Sequence, residues 1–188
     1  MNILTTEKYL WLVIAIYWLI TSQSVKKSVK KQGGWQRIVY IVTIMFAFSL
    51  LFGNHFHFPF LYRRILPQYE LWKITGLVFC AIGLILALLA RIYLGRNWSA
   101  RVTIKVDHEL VQSGPYGLTR NPIYTGFILA FCGCSMSLGM VKGYFGVFLL
   151  LVSLLIKISK EEKFMQEVFG DKWLAYRSRV KRLIPFIY

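Results

Sequence analysis

Uncharged apolar runs alternate with short basic gaps along this chain, and five of the runs have the length or composition of membrane-crossing helices. Residues 9–25 carry no charge and make a first, short span. A cleaved leader would need a basic start and a small-residue cleavage site, and Glu7-Lys8 and Thr21-Ser22-Gln23 supply neither. Residues 38–53 form the second span. Residues 71–90 form the clearest one. Its single charge, Lys73, lies near the start, where the side chain can snorkel, and at ~1.5 Å per residue the run reaches about 30 Å, the thickness of the hydrocarbon layer. Residues 123–141 make the fourth. Gly126, Gly133, Gly139, Cys132, Cys134 and Ser135 keep it rich in small side chains, which permits close helix packing. Lys142-Gly143 reads as a tight turn into a short fifth span, residues 144–156, which leaves Lys157 at the membrane surface or facing protein. Beyond it the pattern becomes amphipathic. Phe164, Val168, Trp173 and Tyr176 recur at helical spacing over residues 161–180, a helix pair broken at Gly170 that can lie on the membrane surface and cover a pocket. The predicted fold is an all-α integral membrane protein. It has about five transmembrane helices and a C-terminal amphipathic region.

The polar gaps carry the candidate chemistry. Residues 25–37 form a basic loop interrupted by Gly33-Gly34. Asn54-His55-Phe56-His57-Phe58-Pro59 reads as an aromatic loop at interface depth. His55 and His57 have no carboxylate or thiol beside them, so no metal is expected. Residues 101–106 alternate and suit a short strand or an extended arm. Residues 108–124, HELVQSGPYGLTRNPIY, are the least apolar long segment. Gly114-Pro115 signals a turn. Asn121-Pro122 suits a helix opening, with Asn as N-cap and Pro at the first helical position. Such an opening aims free backbone N–H groups at the loop, where an anionic group such as a cofactor carboxylate can bind. On local chemistry alone the segment is a polar loop between two membrane helices.

Composition narrows the class. The 188 residues are 56% hydrophobic, too apolar for an ordinary soluble domain, and form one membrane unit. Net charge is +15. The basic residues sit in the gaps between apolar runs, so anionic lipid head groups are the expected partner and nucleic acid is not. Cys80, Cys132 and Cys134 lie within apolar runs, without metal-ligand spacing. The loops predicted to share a side with the C-terminal tail carry, with it, 18 basic residues, against 4 on the other side. The positive-inside rule then places the motif loop and the tail in the cytoplasm and the N-terminus outside.

Several short elements, taken in order, resemble the isoprenylcysteine carboxyl methyltransferase family and its bacterial relatives. They are His108-Glu109-Leu110-Val111, Gly114-Pro115-Tyr116, Arg120-Asn121-Pro122 with Tyr124 and Gly126, Glu161-Glu162, Phe169-Gly170, Tyr176 and Ile184-Pro185-Phe186. No single piece is specific; their order and spacing are. The resemblance covers residues 95–188. It implies N-terminal transmembrane helices in residues 1–90 and a catalytic half in residues 91–188. It also implies S-adenosylmethionine as cofactor, held by His108, Glu109, Leu110, Val111, Tyr116, Asn121, Pro122, Ile123, Tyr124 and Glu161. It implies a lipophilic or prenylated acceptor, methylated on a carboxylate at the cytoplasmic face of, for a bacterial-type member, the inner membrane. In the family an arginine four residues before the first glutamate orients that carboxylate. Lys157 stands there in this chain. Asn121 stands where eukaryotic members have histidine, as is usual in the bacterial relatives. Two other readings stay open: a phospholipid amine N-methyltransferase, which needs a base, and a non-catalytic membrane scaffold or lipid-binding protein.

Overall fold

A computed structural model describes residues 2–22, 28–31, 34–95, 103–105 and 110–188. Helix α1 (Ile3–Thr21) opens at Asn2, whose side chain accepts the Leu4 N–H at 3.2 Å. Strand β1 (Ser28–Lys31) follows, then α2 (Gly34–Phe52). A 3-10 turn, Pro59–Tyr62, leads to α3 (Glu70–Leu94). Strand β2 (Thr103–Lys105) pairs antiparallel with β1 and lies within the alternating stretch at 101–106. The rest is helical: α4 (Pro115–Leu118), α5 (Pro122–Leu138), α6 (Val141–Phe169) and α7 (Asp171–Arg179).

The helices turn apolar side chains outward. Leu12, Val13, Ile16 and Leu19 of α1 and Ile74, Ile82 and Ile85 of α3 are exposed. Water would penalise such faces; hydrocarbon does not. Helices α1, α3 and α6 are long and apolar enough to cross a membrane. The apolar part of α2, Ile38–Phe52, and the 17-residue α5 are shorter. The nearly all-helical architecture of an integral membrane protein stands as expected.

The tightest helix pair is α3 with α5. Gly76 and Gly83 of α3 face Gly133 and Gly126 of α5, and a Cβ at any of the four would collide with the backbone opposite. The small-residue pattern of the fourth span therefore works as read, except at Gly139. That glycine has φ 66° and ends α5. Helix α6 packs on α2 and α5, and α1 on α3 and α5. Between α1 and α2 lies an apolar cavity of about 440 Å³, walled by Trp11, Trp18, Phe48, Phe127, Phe131 and Leu154 and reaching Lys8 at one end and Tyr40 toward the other.

Several boundaries differ from the sequence reading, among them the start of α2, which takes in Gly34 to Arg37 of the stretch read as a basic loop. The fifth span and the first amphipathic helix are one continuous 29-residue helix, α6. Nothing between Ile156 and Glu161 breaks a helix, so the change from apolar to charged alters what the helix faces and leaves its backbone unbroken. The break at Gly170 does occur, at φ 51°. Lys142-Gly143 lies within the first turn of α6, and the turn itself falls at Gly139 and Met140. Lys142 is buried there and donates to the Gly53 carbonyl at 2.6 Å and to Asn54 Oδ1 at 3.0 Å. Glu7 and Arg91 lie inside helices. Glu7 is fully buried in α1 and accepts the Ser137 hydroxyl at 2.6 Å; Arg91 closes α3 and donates to the carbonyls of Gly95 and Thr21.

Candidate functional site

At the end of the bundle where α5 begins, four segments converge: the loop at residues 110–121, the start of α5, the far part of α6, and the tail beyond α7. Pro122 occupies the first turn of α5, where its missing N–H costs nothing. Asn121 sits at the N-cap position, but its side chain does not cap. With φ −129° and ψ 56° its amide turns away and donates to the Arg182 carbonyl at 3.1 Å, tying the tail to the helix start. The tail takes a second bond there, from the Thr125 hydroxyl to the Leu183 carbonyl at 2.8 Å.

Tyr124, the third residue of α5, reaches across to α6. Its hydroxyl meets both carboxylate oxygens of Glu161, at 3.1 and 2.9 Å. One turn earlier on α6, Lys157 places its ammonium 3.8 Å from Glu161 Oε1. That ammonium also lies over two aromatic rings, 4.5 Å from the centroid of Tyr40 and 5.2 Å from that of Tyr124. Tyr116, Ile123 and Ala90 form a buried apolar cluster, and Val111, Leu94, Trp18 and Tyr124 pack against it. Burial pushes the Tyr116 phenol well above its ordinary range, so it stays protonated at neutral pH. Tyr124 thus belongs both to the aromatic cluster around Tyr116 and to the charged pair at Glu161.

Glu162 faces the other way. Its buried carboxylate accepts from Arg120 Nε at 2.9 Å and from Arg182 Nη2 and Nε at 2.7 and 3.1 Å. The hydrogen bonds to Glu162 raise the Arg182 guanidinium above its ordinary range. Arg120 donates further to the carbonyls of Arg177 and Val180. The Tyr176 hydroxyl donates to the Tyr116 carbonyl at 2.6 Å, which docks α7 over α4.

Val111, Tyr116, Ile123, Tyr124, Lys157 and Glu161 therefore come together, with Pro122 buried behind them and Leu110 half-buried at the loop's start. His108 and Glu109 lie outside the described residues. Tyr40, Thr125 and Arg182 join the constellation without having been singled out. Arg182 lies two residues before the Ile184-Pro185-Phe186 motif, and its charge was the only clue. Tyr40 is a neutral aromatic in an apolar span, and neither its spacing nor its neighbours mark it. His55 and His57 stay exposed in the loop at residues 53–58, away from this end.

The arrangement offers an aromatic-apolar cluster, a carboxylate held by a phenol, a cation between two aromatic rings, and the opening turn of α5. Those parts suit a nucleoside with a cationic centre and an amino-acid end. Residues 71–172 match the phospholipid methyltransferase family model. The chain is 32% identical over 127 residues to the protein-S-isoprenylcysteine O-methyltransferase of Schizosaccharomyces pombe, across 63% of this chain and 52% of that protein. It is 30% identical over 125 residues to a probable protein-S-isoprenylcysteine O-methyltransferase of Oryza sativa subsp. indica, across 65% of each. The chain thus spans about half to two thirds of the length of these relatives. The fold is similar to that of a solved eukaryotic intramembrane Ras methyltransferase, an isoprenylcysteine carboxyl methyltransferase, with TM-score 0.54 and 23% identity over 83% of this chain and 54% of the other.

Proposed function

The chain belongs to the phospholipid methyltransferase family, and from that premise we propose that it transfers a methyl group from S-adenosylmethionine to a carboxylate on a lipophilic, prenylcysteine-like acceptor at the cytoplasmic membrane face. The observation that supports this reading best is the Tyr124–Glu161–Lys157 cluster, which lies against an apolar cavity through Tyr40. Chemistry is assigned to the half from residue 91 onward, with α2 lending one wall.

S-adenosylmethionine, when bound, supplies a methyl carbon already activated by its sulfonium. The chain's own residues align the partners and exclude water. The aromatic surface of Tyr116 and the apolar side chains of Val111 and Ile123 suit the adenine. The Glu161 carboxylate, oriented by Tyr124, suits ribose hydroxyls or an ammonium. The first turn of α5, opening at Pro122, suits a carboxylate. His108, Glu109 and Leu110 complete the proposed binding set, with Asn121 holding the tail against it. An acceptor carboxylate is ionised at neutral pH and needs no base. It needs a cation, and Lys157 is that group.

The basic loops and tail argue for an N-terminus outside and a C-terminus in the cytoplasm, in contact with anionic lipid. Titration calorimetry with S-adenosylmethionine tests the cofactor assignment without needing the acceptor. A chain that binds none of it is a scaffold or lipid-binding protein. Radiolabelled donor, offered with a prenylcysteine analogue and with total lipid extract, then tests the acceptor. The family model's own description favours one second reading, an amine lipid as acceptor. An amine must lose its proton before attack, and Glu161 is the base at hand. A labelled amine lipid with no labelled ester would select that reading.

A further inference from the structure

Lys157 is carried by α6, and its ammonium rests nearest a ring of α2. An i,i+4 pair such as Lys157 and Glu161 can close to full hydrogen-bond contact, near 2.7–2.9 Å. Here the two stand 3.8 Å apart. The ammonium instead lies over the Tyr40 and Tyr124 rings, both within the roughly 6 Å reach of a cation–π contact. Tyr40 and Tyr124 share the ammonium, from α2 and α5 respectively. Tyr40 supplies the nearer ring and also lines the apolar cavity between α1 and α2. A positive charge is therefore kept beside an aromatic, hydrocarbon-like space.

We propose that Tyr40 is a positioning residue for acceptor recognition: its ring holds the Lys157 ammonium at the end of the apolar cavity, and so selects acceptors that join an anionic head to an apolar tail. The inference rests on the reading of Lys157 as the group that meets the acceptor carboxylate. With the Tyr40 ring removed, Lys157 is free to close onto Glu161 or to swing to the head groups, and either movement takes the cation from the cavity. Phenylalanine keeps the ring face and leucine does not, so the two substitutions separate a cation–π role from the phenol hydroxyl and from bulk.

The test measures dissociation constants of the detergent-purified protein for a prenylated N-acetylcysteine and for its neutral methyl ester, with S-adenosylmethionine affinity as the check on a folded site. Wild type should prefer the acid. Tyr40→Phe should keep that preference to within about threefold. Tyr40→Leu should lose on the order of tenfold in acid affinity relative to ester affinity, the factor that about 1.4 kcal/mol represents, while binding S-adenosylmethionine as before. In a Lys157→Met background Tyr40→Leu should cost nothing further, because both act on one contact. Tyr40→Leu that retains the acid preference overturns the role of Tyr40 and leaves the carboxylate reading standing. Additive losses in the double variant overturn positioning through Lys157. A wild-type protein that binds acid and ester alike removes the Lys157 reading itself, and the role of Tyr40 with it. Should Tyr40→Leu fail to bind S-adenosylmethionine, Tyr40→Met, flexible and similar in volume, carries the same comparison.

Discussion

Glu161 and Tyr124 share the most consequential contact in the molecule. A carboxylate meeting one phenol through both its oxygens has its position fixed, which a neutral amide would not reproduce. Glu161→Gln should weaken S-adenosylmethionine binding by roughly 1.5–3 kcal/mol, the value of a hydrogen bond to a charged group. Tyr124→Phe should lose a comparable amount, since it frees the carboxylate to swing toward Lys157. Calorimetric dissociation constants check both; unchanged affinity in Glu161→Gln removes that residue from the cofactor site. At this scale the sequence was informative where chemistry leaves a compositional trace. Lys157 stood out as a charge at the edge of an apolar run, whereas Glu161, Tyr116 and Tyr124 were marked by the family resemblance of their motifs. Tyr40 leaves no such trace, because an aromatic residue inside a span reads as lipid-facing. The Asn121 side chain went elsewhere than local rules suggest. A tail carbonyl 61 positions away competed for its amide, and local propensity carries no knowledge of that.

Among the elements, the tail beyond α7 is held to the bundle by a compact set of polar ties. Glu162 accepts from Arg120 and Arg182, Arg120 donates also to the carbonyls of Arg177 and Val180, and Thr125 and Asn121 hold Leu183 and Arg182. Taking one partner from a buried ion pair strands the other, at a cost of about 3–5 kcal/mol. Arg120→Lys is milder: it keeps the charge but cannot serve a carboxylate and two carbonyls at once. It should lower the melting temperature by about 5 °C, in line with a loss of roughly 2 kcal/mol. Turnover per folded molecule should fall no more than folded yield does. A stable, cofactor-binding but inactive Arg120→Lys protein would make Arg120 a substrate contact. Arg120 sits just before the Asn-Pro helix opening, at the level where the acidic pair of α6 leaves the apolar core. Which of the two glutamates it meets is not legible in the sequence, because adjacent residues on one helix differ by about 100° in facing, and only packing decides which side meets the tail.

For the molecule as a whole, the sequence supplied the class and the structure supplied the continuity. Apolar runs marked the bundle, and the glycines of the fourth span marked its closest approach, because both are local patterns with one physical meaning in a membrane. The length of α6 was hidden by a hydropathy change that is not a break in the backbone. That continuity has a consequence for topology. A single rigid helix carries Leu150 and Leu154 in the apolar core and Glu161 and Glu162 beyond it, so the candidate site must emerge on the side where α6 leaves the bilayer. If α2 and α5 cross as shorter helices beside the three long candidates α1, α3 and α6, the motif loop and the tail share one face. On the proposed orientation that face is the inner one, the side that the positive-inside rule assigns to the loops richest in basic residues. A reporter fused after Tyr188 should therefore be active only in the cytoplasm, and one placed in the loop near Asn54 only on the external side. With the N-terminus outside, external activity at Tyr188 would mean an even number of crossings. The element to doubt would then be α2, whose apolar stretch of 15 residues reaches only about 22 Å at 1.5 Å per residue. If α2 lay in the interface instead, Tyr40 would leave Lys157, and the acid-over-ester preference would disappear with the topology.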